Sequence, residues 1–231
     1  MNKAEFDQFA EEYRTLHANN IKITGETPDF FADYKVADAA EYAKKGITKD
    51  NLSILDFGSG VGNSIPYFFK YFPSAKLSCT DVSEKSLNIA QARYPDGVEY
   101  KLFDGIALPY KSESFNIVFT ACVFHHIPLS EHDALFKEIL RVLKKDGFFI
   151  IFEHNPFNPL TVRAVNTCEF DKNATLIRCN QLRNQLREAG FNQVAHKYRI
   201  FFPGFLKALR FFEPLIGWLP LGAQYYVTSR K

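Results

Sequence analysis

Five short runs rich in β-branched and aromatic residues, with helical patterns between most of them, restrict this chain to very few architectures. The runs are Ser53–Gly58, Lys76–Asp81, Val98–Asp104, Phe115–Cys122 and Gly147–His154. Helical spacing predicts Asn63–Phe72 after the first run, Ser83–Arg93 after the second with Ser83 as its N-cap, and Ser130–Lys145 after the fourth. In the last of these, Ser130 and Asp133 read as a variant capping box, and Leu135, Phe136, Ile139, Leu140 and Leu143 form one apolar face. Strand–helix repetition of this kind gives a parallel sheet covered on both sides by helices. Two further strands are expected near His196–Pro203 and Ala223–Arg230, preceded by a polar helix over Asn180–Ala189 that Gly190 closes. The expected fold is therefore α/β, a doubly wound and mostly parallel seven-stranded sheet of Rossmann-like type. Ahead of it, Phe6, Phe9, Tyr13 and Leu16 make a helical stripe, and a second helix is expected over Asp33–Lys45. With no linker, repeat or low-complexity tract, residues 1–231 read as one domain.

The stretch ILDFGSGVGNS, residues 54–64, says most about ligands. A strand ends at Asp56, and Gly58, Gly60 and Gly62 follow at alternate positions before a helix. Glycines here let the backbone turn sharply and let a ligand approach main-chain groups closely. In an open α/β sheet the loop lies at the carboxyl end of the first strand, where ligands bind. Dinucleotide binders space their glycines as G-x-G-x-x-G, which requires a glycine at position 63; that residue is Asn63. An acid two residues before the first glycine also gives a pyrophosphate nothing, because the helix N-terminus attracts anions. A ligand carrying an ammonium and a sulfonium suits Asp56 better.

D-x-G-x-G-x-G after a first strand resembles motif I of the class I S-adenosylmethionine-dependent methyltransferases, and later motifs follow in that family's order. TDVSEKSL (residues 80–87), FDGIALPY (103–110), FNIVFTACVFHHIP (115–128) and LKKDGFFIIFE (143–153) resemble its further elements. The resemblance spans about residues 50 to 155 and is nearest to the type 11 small-molecule group. Asn116, Phe124 and Lys145–Asp146 depart from it, where Asp, Leu and Pro–Gly are usual. It implies S-adenosylmethionine as cofactor and S-adenosylhomocysteine as product. It further implies that Asp81 binds the ribose hydroxyls, that Val82 packs on adenine and that Asp104 accepts from the adenine amino group. Asp56, Ser59, Gly105 and Ala121, with the loop glycines Gly58 and Gly60, complete the implied cofactor set. Related enzymes fold an N-terminal helix over the cofactor as a lid, which would cover residues 1–46 here and bring Tyr13 to the cofactor. The competing readings are a non-catalytic adenosylmethionine-binding partner subunit and, more remotely, a nicotinamide oxidoreductase.

Methyl transfer from a sulfonium needs alignment of the acceptor and, if the acceptor is protonated, a base. His125 and His126, just past the fourth strand, suit base work near neutral pH. Adjacent residues on an extended segment point opposite ways, so only one of them should face the acceptor. Glu153 and His154 end the fifth strand, also on the ligand side. No E-x-x-E-H or comparable ligand spacing occurs, so no metal is expected. Cys79 and Cys122 read as core strand residues, and the NPFNP stretch as a turn that starts a helix at Pro159.

Composition narrows the partners. The net charge is only +2, and the basic pairs Lys44–Lys45 and Lys144–Lys145 fall near expected helix ends. That argues against nucleic acid. An acidic amphipathic start, no apolar run of about 18 residues and four cysteines without CxxC pairing lead to the expectation of a reduced, cytoplasmic protein without a spanning helix. The acceptor is expected to be a small molecule or a lipid-linked metabolite, methylated at oxygen or carbon, and the protein a monomer or homodimer. Residues 201–221 are unusually apolar for an insertion before the last strand. Phe205, Leu206, Leu209 and Phe212 fall at helical spacing, and Lys207, Arg210 and Glu213 would then point to water. Acceptor pocket, dimer contact, peripheral membrane contact and buried core all remain open for this segment.

Overall fold

The computed structural model describes residues 25–47, 51–171 and 173–231. The stripe at Phe6, Phe9, Tyr13 and Leu16 lies outside them, so the cofactor contact expected of Tyr13 does too. The first described helix, α1 (Pro28–Lys44), starts five residues earlier than the sequence suggests, because Thr27 caps it by accepting from the Phe30 N–H at 3.3 Å. Then follow β1 (Ser53–Phe57), α2 (Ile65–Tyr71), β2 (Lys76–Asp81), α3 (Glu84–Arg93), β3 (Val98–Leu102) and β4 (Phe115–Ala121). Next come α4 (Leu129–Val142), β5 (Leu143–His154), α5 (Pro159–Asn166), α6 (Cys179–Glu188), β6 (Asn192–Arg199), the short α7 (Glu213–Ile216) and β7 (Gln224–Arg230).

The strands form one seven-stranded sheet in the order β3-β2-β1-β4-β5-β7-β6. All pairings are parallel except those of β7, which runs antiparallel to both β5 and β6. Strand order reverses between β1 and β4, so the loops leaving these two strands diverge and open a crevice. Side chains alternate across the sheet. Phe148, Ile150 and Phe152 of β5 pack on one side with Val36, Ala39 and Phe68 of α1 and α2. Phe149 and Ile151 pack on the other side with Phe136, Ile139, Leu182 and Leu186 of α4 and α6. Both faces of the central strands are thus dry, which explains why β4 and β5 read as continuous apolar runs.

Several boundaries differ from expectation. Helix α4 begins at Leu129 behind Pro128, with no side-chain cap, so the Ser130–Asp133 box does not form. It also ends at Val142 rather than Lys145. Leu143 is already extended, buried and paired with Phe115, which pulls the chain into β5. Lys144 and Lys145 are therefore strand residues; Lys144 Nζ donates to Asn116 Oδ1 at 3.0 Å. The same Asn116 oxygen accepts from the Ser53 N–H at 3.0 Å, so the amide joins β1 to β4. Strand β6 lies at Asn192–Arg199, four residues earlier than the His196–Pro203 expected.

The apolar segment differs most. Residues 204–212 are 3₁₀ turns kinked at Leu206, and none of their side chains is buried. Phe205, Leu206, Leu209 and Phe212 are all exposed, which overturns both the core role and the acceptor-pocket role for these four. Glu213, expected to face water, is buried instead. Among the described residues, no helix is long and apolar enough to cross a membrane.

Candidate functional site

A cleft of about 210 Å³ lies over the carboxyl ends of the central strands. One wall is the loop after β1, with Asp56, Gly58, Ser59 and Gly60. Ala121 and Cys122, His125 and His126, and His154 line it from the ends of β4 and β5. Pro28, Phe31, Ala32 and Lys35 of α1 line it as well.

The loop has a physical reason for its composition. Gly58 has φ +73°, and a Cβ there would lie 2.4 Å from Val123 Cγ2. Gly60 has φ +52° with no atom within 4 Å of where its Cβ would be, so a side chain would project into open space. The loop is held from below: the N–H groups of Gly58 and Ser59 donate to the Thr80 carbonyl at 2.8 and 3.2 Å. Asp81 completes the support, with Oδ2 accepting from the Gly60 N–H at 2.8 Å and Oδ1 from the Ser83 N–H at 2.9 Å. The acid that the motif assigns to the ribose therefore also shapes the glycine loop.

Asp56 is 3% exposed and lines the cleft, and its Oδ2 has no hydrogen-bond partner. Burial, reinforced by the Asp81 carboxylate, pushes its carboxyl up to about 8. The Ser59 hydroxyl is likewise buried without a partner on the same wall. Such orphaned groups are costly unless something satisfies them. A ligand ammonium beside Asp56 fits both the geometry and the charge. Val82, Asp81, Asp104 and Gly105 do not line this cleft, because β2 and β3 lie on the far side of β1. Val82 is buried, Asp104 is exposed, and Asp104 Oδ1 takes the N–H groups of Ile106 and Ala107 at 2.8 and 2.9 Å.

The histidines are not on an extended segment. Residues Phe124–His126 form a 3₁₀ turn, so both rings reach the cleft, with centroids 4.2 Å apart. The turn is fixed by Phe124, stacked on Phe136 at 4.7 Å, and by His132, whose Nε2 lies 3.1 Å from the carbonyls of Phe124 and Ile127. His125 Nδ1 is 2.6 Å from Glu153 Oε2, while Glu153 Oε1 accepts from the Phe124 N–H at 2.9 Å. On the other side, Asp171 Oδ1 lies 3.6 Å from His125 Nε2 and 3.3 Å from His126 Nε2. Burial disfavours charge on His125, yet the carboxylates of Glu153 and Asp171 raise its pKa well above the ordinary imidazole value. Burial and the neighbouring His125 charge lower that of His126. Glu153 and Asp171 are held below their usual values by His125 despite their burial. At neutral pH the set is an imidazolium clamped between two carboxylates, with a neutral imidazole beside it. The His125, His126 and Asp171 ligand atoms lie within 4.8 Å of one another, a convergence that sequence spacing did not reveal and that a divalent ion would also suit.

Asp171 escaped sequence reasoning because it sits in the loop between α5 and α6, about 45 residues from the histidines; the Thr175 N–H donating to the His125 carbonyl at 2.7 Å pins that loop in place. Lys35 of α1 and Gln224 at the start of β7, which also line the cleft, were missed because they too lie far from the histidines in sequence. Cys122 is no core residue: it has φ +59° just past β4 and faces the cleft, with Lys35 Nζ 3.3 Å from its sulfur. Burial raises its thiol, but Lys35 and His154 outweigh that and bring it to about 7.

The comparisons agree with this geometry. Residues 55–151 match the model of a family described as "Methyltransferase domain". An uncharacterized methyltransferase of Bacillus subtilis is 26% identical over 200 residues, covering 85% of this chain and 72% of that protein. A ubiquinone/menaquinone biosynthesis C-methyltransferase of Hahella chejuensis is 26% identical over 134 residues, 55% of this chain and 53% of that protein. A demethylmenaquinone methyltransferase of Thermotoga maritima is 31% identical over 105 residues, 46% of this chain and 44% of that protein. The chain thus spans about half the length of the two quinone-pathway relatives. A Thermotoga maritima S-adenosylmethionine-dependent methyltransferase structure superposes over the full length of both chains with a TM-score of 0.65 at 20% identity, which shows the shared fold. A sheet with its switch point between β1 and β4, a glycine loop braced by Asp81, an unpartnered Asp56 facing the crevice and the matched family model converge on one conclusion: over residues 55–151 the chain carries a methyltransferase domain, on the fold of the class I S-adenosylmethionine-dependent methyltransferases.

Proposed function

We propose that this protein transfers a methyl group to a small, largely apolar acceptor at carbon or oxygen, with His126 taking the acceptor's proton. The observation that carries the reading is the sharing of one cleft by the orphaned Asp56 carboxylate and the Glu153–His125–Asp171–His126 network. Asp56 and Ser59 would hold the amino-acid end of the cofactor, and Asp81, outside the cleft lining but bonded to Gly60 of the loop, would take the ribose where the cofactor extends past that loop. Once bound, S-adenosylmethionine supplies an activated methyl on a sulfonium. The protein's own residues then align the acceptor and receive a proton if one is lost. Phe31, Leu160, Val165, Ile200 and Phe201 give the cleft an apolar lining, suited to an acceptor ring or chain. Of the relatives named above, one is a ubiquinone/menaquinone biosynthesis C-methyltransferase and another a demethylmenaquinone methyltransferase, which supports an acceptor of this kind.

His126 suits base work because it stays neutral beside the charged His125, whereas His125 is locked by two carboxylates. The expected result is turnover of enolic or phenolic acceptors that rises with pH through a value below 6.5 and then levels, as His126 loses its proton. His126→Gln should reduce kcat by about 10²-fold or more and leave S-adenosylhomocysteine binding intact. Binding without turnover on any such acceptor would make the protein a cofactor-binding subunit instead. Activity abolished by chelation and restored by a divalent ion would reassign His125, His126 and Asp171 to a metal.

A further inference from the structure

Between β6 and β7 the chain turns its polarity inside out. Residues 204–222 contain three charged side chains, Lys207, Arg210 and Glu213, and two of them face the protein. The buried Glu213 carboxylate accepts the N–H groups of Ile200, Phe201 and Phe202 at 3.0 to 3.3 Å, with Arg199 3.7 Å away. Three successive amides around an anion form a nest that anchors the start of the segment. Arg210 reaches inward to Glu26 at 2.7 Å and to the Phe202 carbonyl at 3.0 Å, over the ring of Phe30. The apolar side chains take the opposite direction. Phe205 is 81% exposed, Phe211 70%, Leu215 71% and Trp218 71%. Large apolar side chains exposed together on one segment mark a site of contact with a partner or a membrane.

The segment also frames the mouth of the cleft. Pro203 at its start and Ala223 just past its end line the cleft, and Asn158 Nδ2 donates to the Leu221 carbonyl at 2.8 Å, tying the segment to the start of α5. There Leu160 both lines the cleft and is exposed, next to an exposed Phe157 whose ring carries Arg178 at 5.8 Å. The exposed charges on this segment and on the stretch from Phe157 to Arg178, among the described residues, are the cations Lys207, Arg163 and Arg178 and the anion Glu169.

We propose that this face docks on the surface of an anionic lipid bilayer and that the acceptor is a membrane-resident amphiphile entering the cleft between Pro203 and Leu160. Exposed Trp, Phe and Leu side chains with cations at their margin match what an interface of headgroups and acyl chains binds. A second copy of the chain on the same face would cover the cleft mouth that the acceptor must pass, whereas a bilayer presents the acceptor there. The substrate-class part of this inference rests on the proposed function above; the docking part does not.

Trp218 is the only tryptophan in the chain, so its fluorescence reports on this face alone. Titration with mixed phosphatidylcholine–phosphatidylglycerol vesicles should shift its emission to the blue, and acyl-chain-brominated lipids should quench it. Pure phosphatidylcholine vesicles should bind more weakly. The double variant Phe205→Ser, Phe211→Ser keeps the probe and should partition at least about tenfold less, from the two lost rings. Its unchanged thermal shift with S-adenosylhomocysteine would show that it is folded. Absence of both shift and quenching at all lipid concentrations would overturn the docking, as would lipid-independent dimerisation that buries Trp218. Vesicle binding without methylation of any amphiphile added to the vesicles would leave the docking standing and overturn the substrate class.

Discussion

At the scale of single residues, Asp56 links the fold to the cofactor through its proton. Its carboxyl, ordinarily near 3.8, is raised to about 8 in the native state. Between those values the folded protein keeps a proton that the unfolded chain has lost, so stability should fall as pH rises through that window. Asp56→Asn should flatten that part of the pH–stability curve and stabilise the ligand-free protein at pH 8 by about 1–3 kcal/mol, since a neutral amide spares the cost of ionising a buried carboxyl beside Asp81. An ammonium beside Asp56 favours the ionised form, so S-adenosylhomocysteine affinity should increase toward pH 8 in the natural protein. Calorimetry across pH checks both effects. If the variant binds product as tightly as the natural protein with the same pH dependence, Asp56 does not face the ammonium. This residue was legible in the sequence because its meaning depends on local spacing: an acid at a strand end, two positions before a glycine.

At the scale of elements, the loop between β1 and α2 offers a sharper contrast. Gly58 and Gly60 both have positive φ, yet a Cβ at Gly58 collides with Val123 while one at Gly60 meets nothing. Gly58→Ala should therefore cost stability by about 2–4 kcal/mol, combining backbone strain with a clash in the packed turn after β4. Gly60→Ala should cost about 1 kcal/mol of stability and lose far more in cofactor affinity, because the new methyl points into open space beside the cleft. Thermal unfolding with and without S-adenosylhomocysteine separates the two, and equal ligand-induced shifts for both variants would contradict the assignment. The helices show where sequence reading fails at this scale. Ser83 caps α3 as its local pattern says, with Ser83 Oγ accepting from the Ser86 N–H at 3.0 Å. The box expected at Ser130 gives way to Pro128, because the 3₁₀ turn of the histidines delivers the chain into α4 one residue sooner.

At the scale of the whole molecule, Glu213 holds the apolar face in place. Replacing it by Leu would leave three amides without their anion in a buried site, while Arg199 keeps Asp38 at 2.7 Å. Leaving buried donors without an acceptor costs about 1–3 kcal/mol. The expected result is a lower midpoint in chemical denaturation by that amount; Glu213→Gln, which keeps an acceptor oxygen, should lose less. A Leu variant as stable as the natural protein would show that the nest contributes nothing. The same residue illustrates the limit of periodicity. Spacing placed Glu213 on a wet helix face, but no regular helix forms across residues 204–212, so its direction is set by the amides of Ile200 to Phe202 on a distant turn.

What the sequence determined by itself are the features that depend on near neighbours: the strand–helix alternation, the glycine loop with Asp56, the cap at Ser83 and the helix starting at Pro159. Each follows from backbone sterics, hydrogen-bonding reach or side-chain periodicity within a few residues. Only the tertiary structure decided which groups meet across the sheet: Asp171 against two histidines, Lys35 against Cys122, Glu213 against three amides. Only it decided that the rings of residues 205–221 face outward. Long-range pairing and the direction of an irregular segment are fixed by the collective packing of distant elements, which no local window of sequence contains.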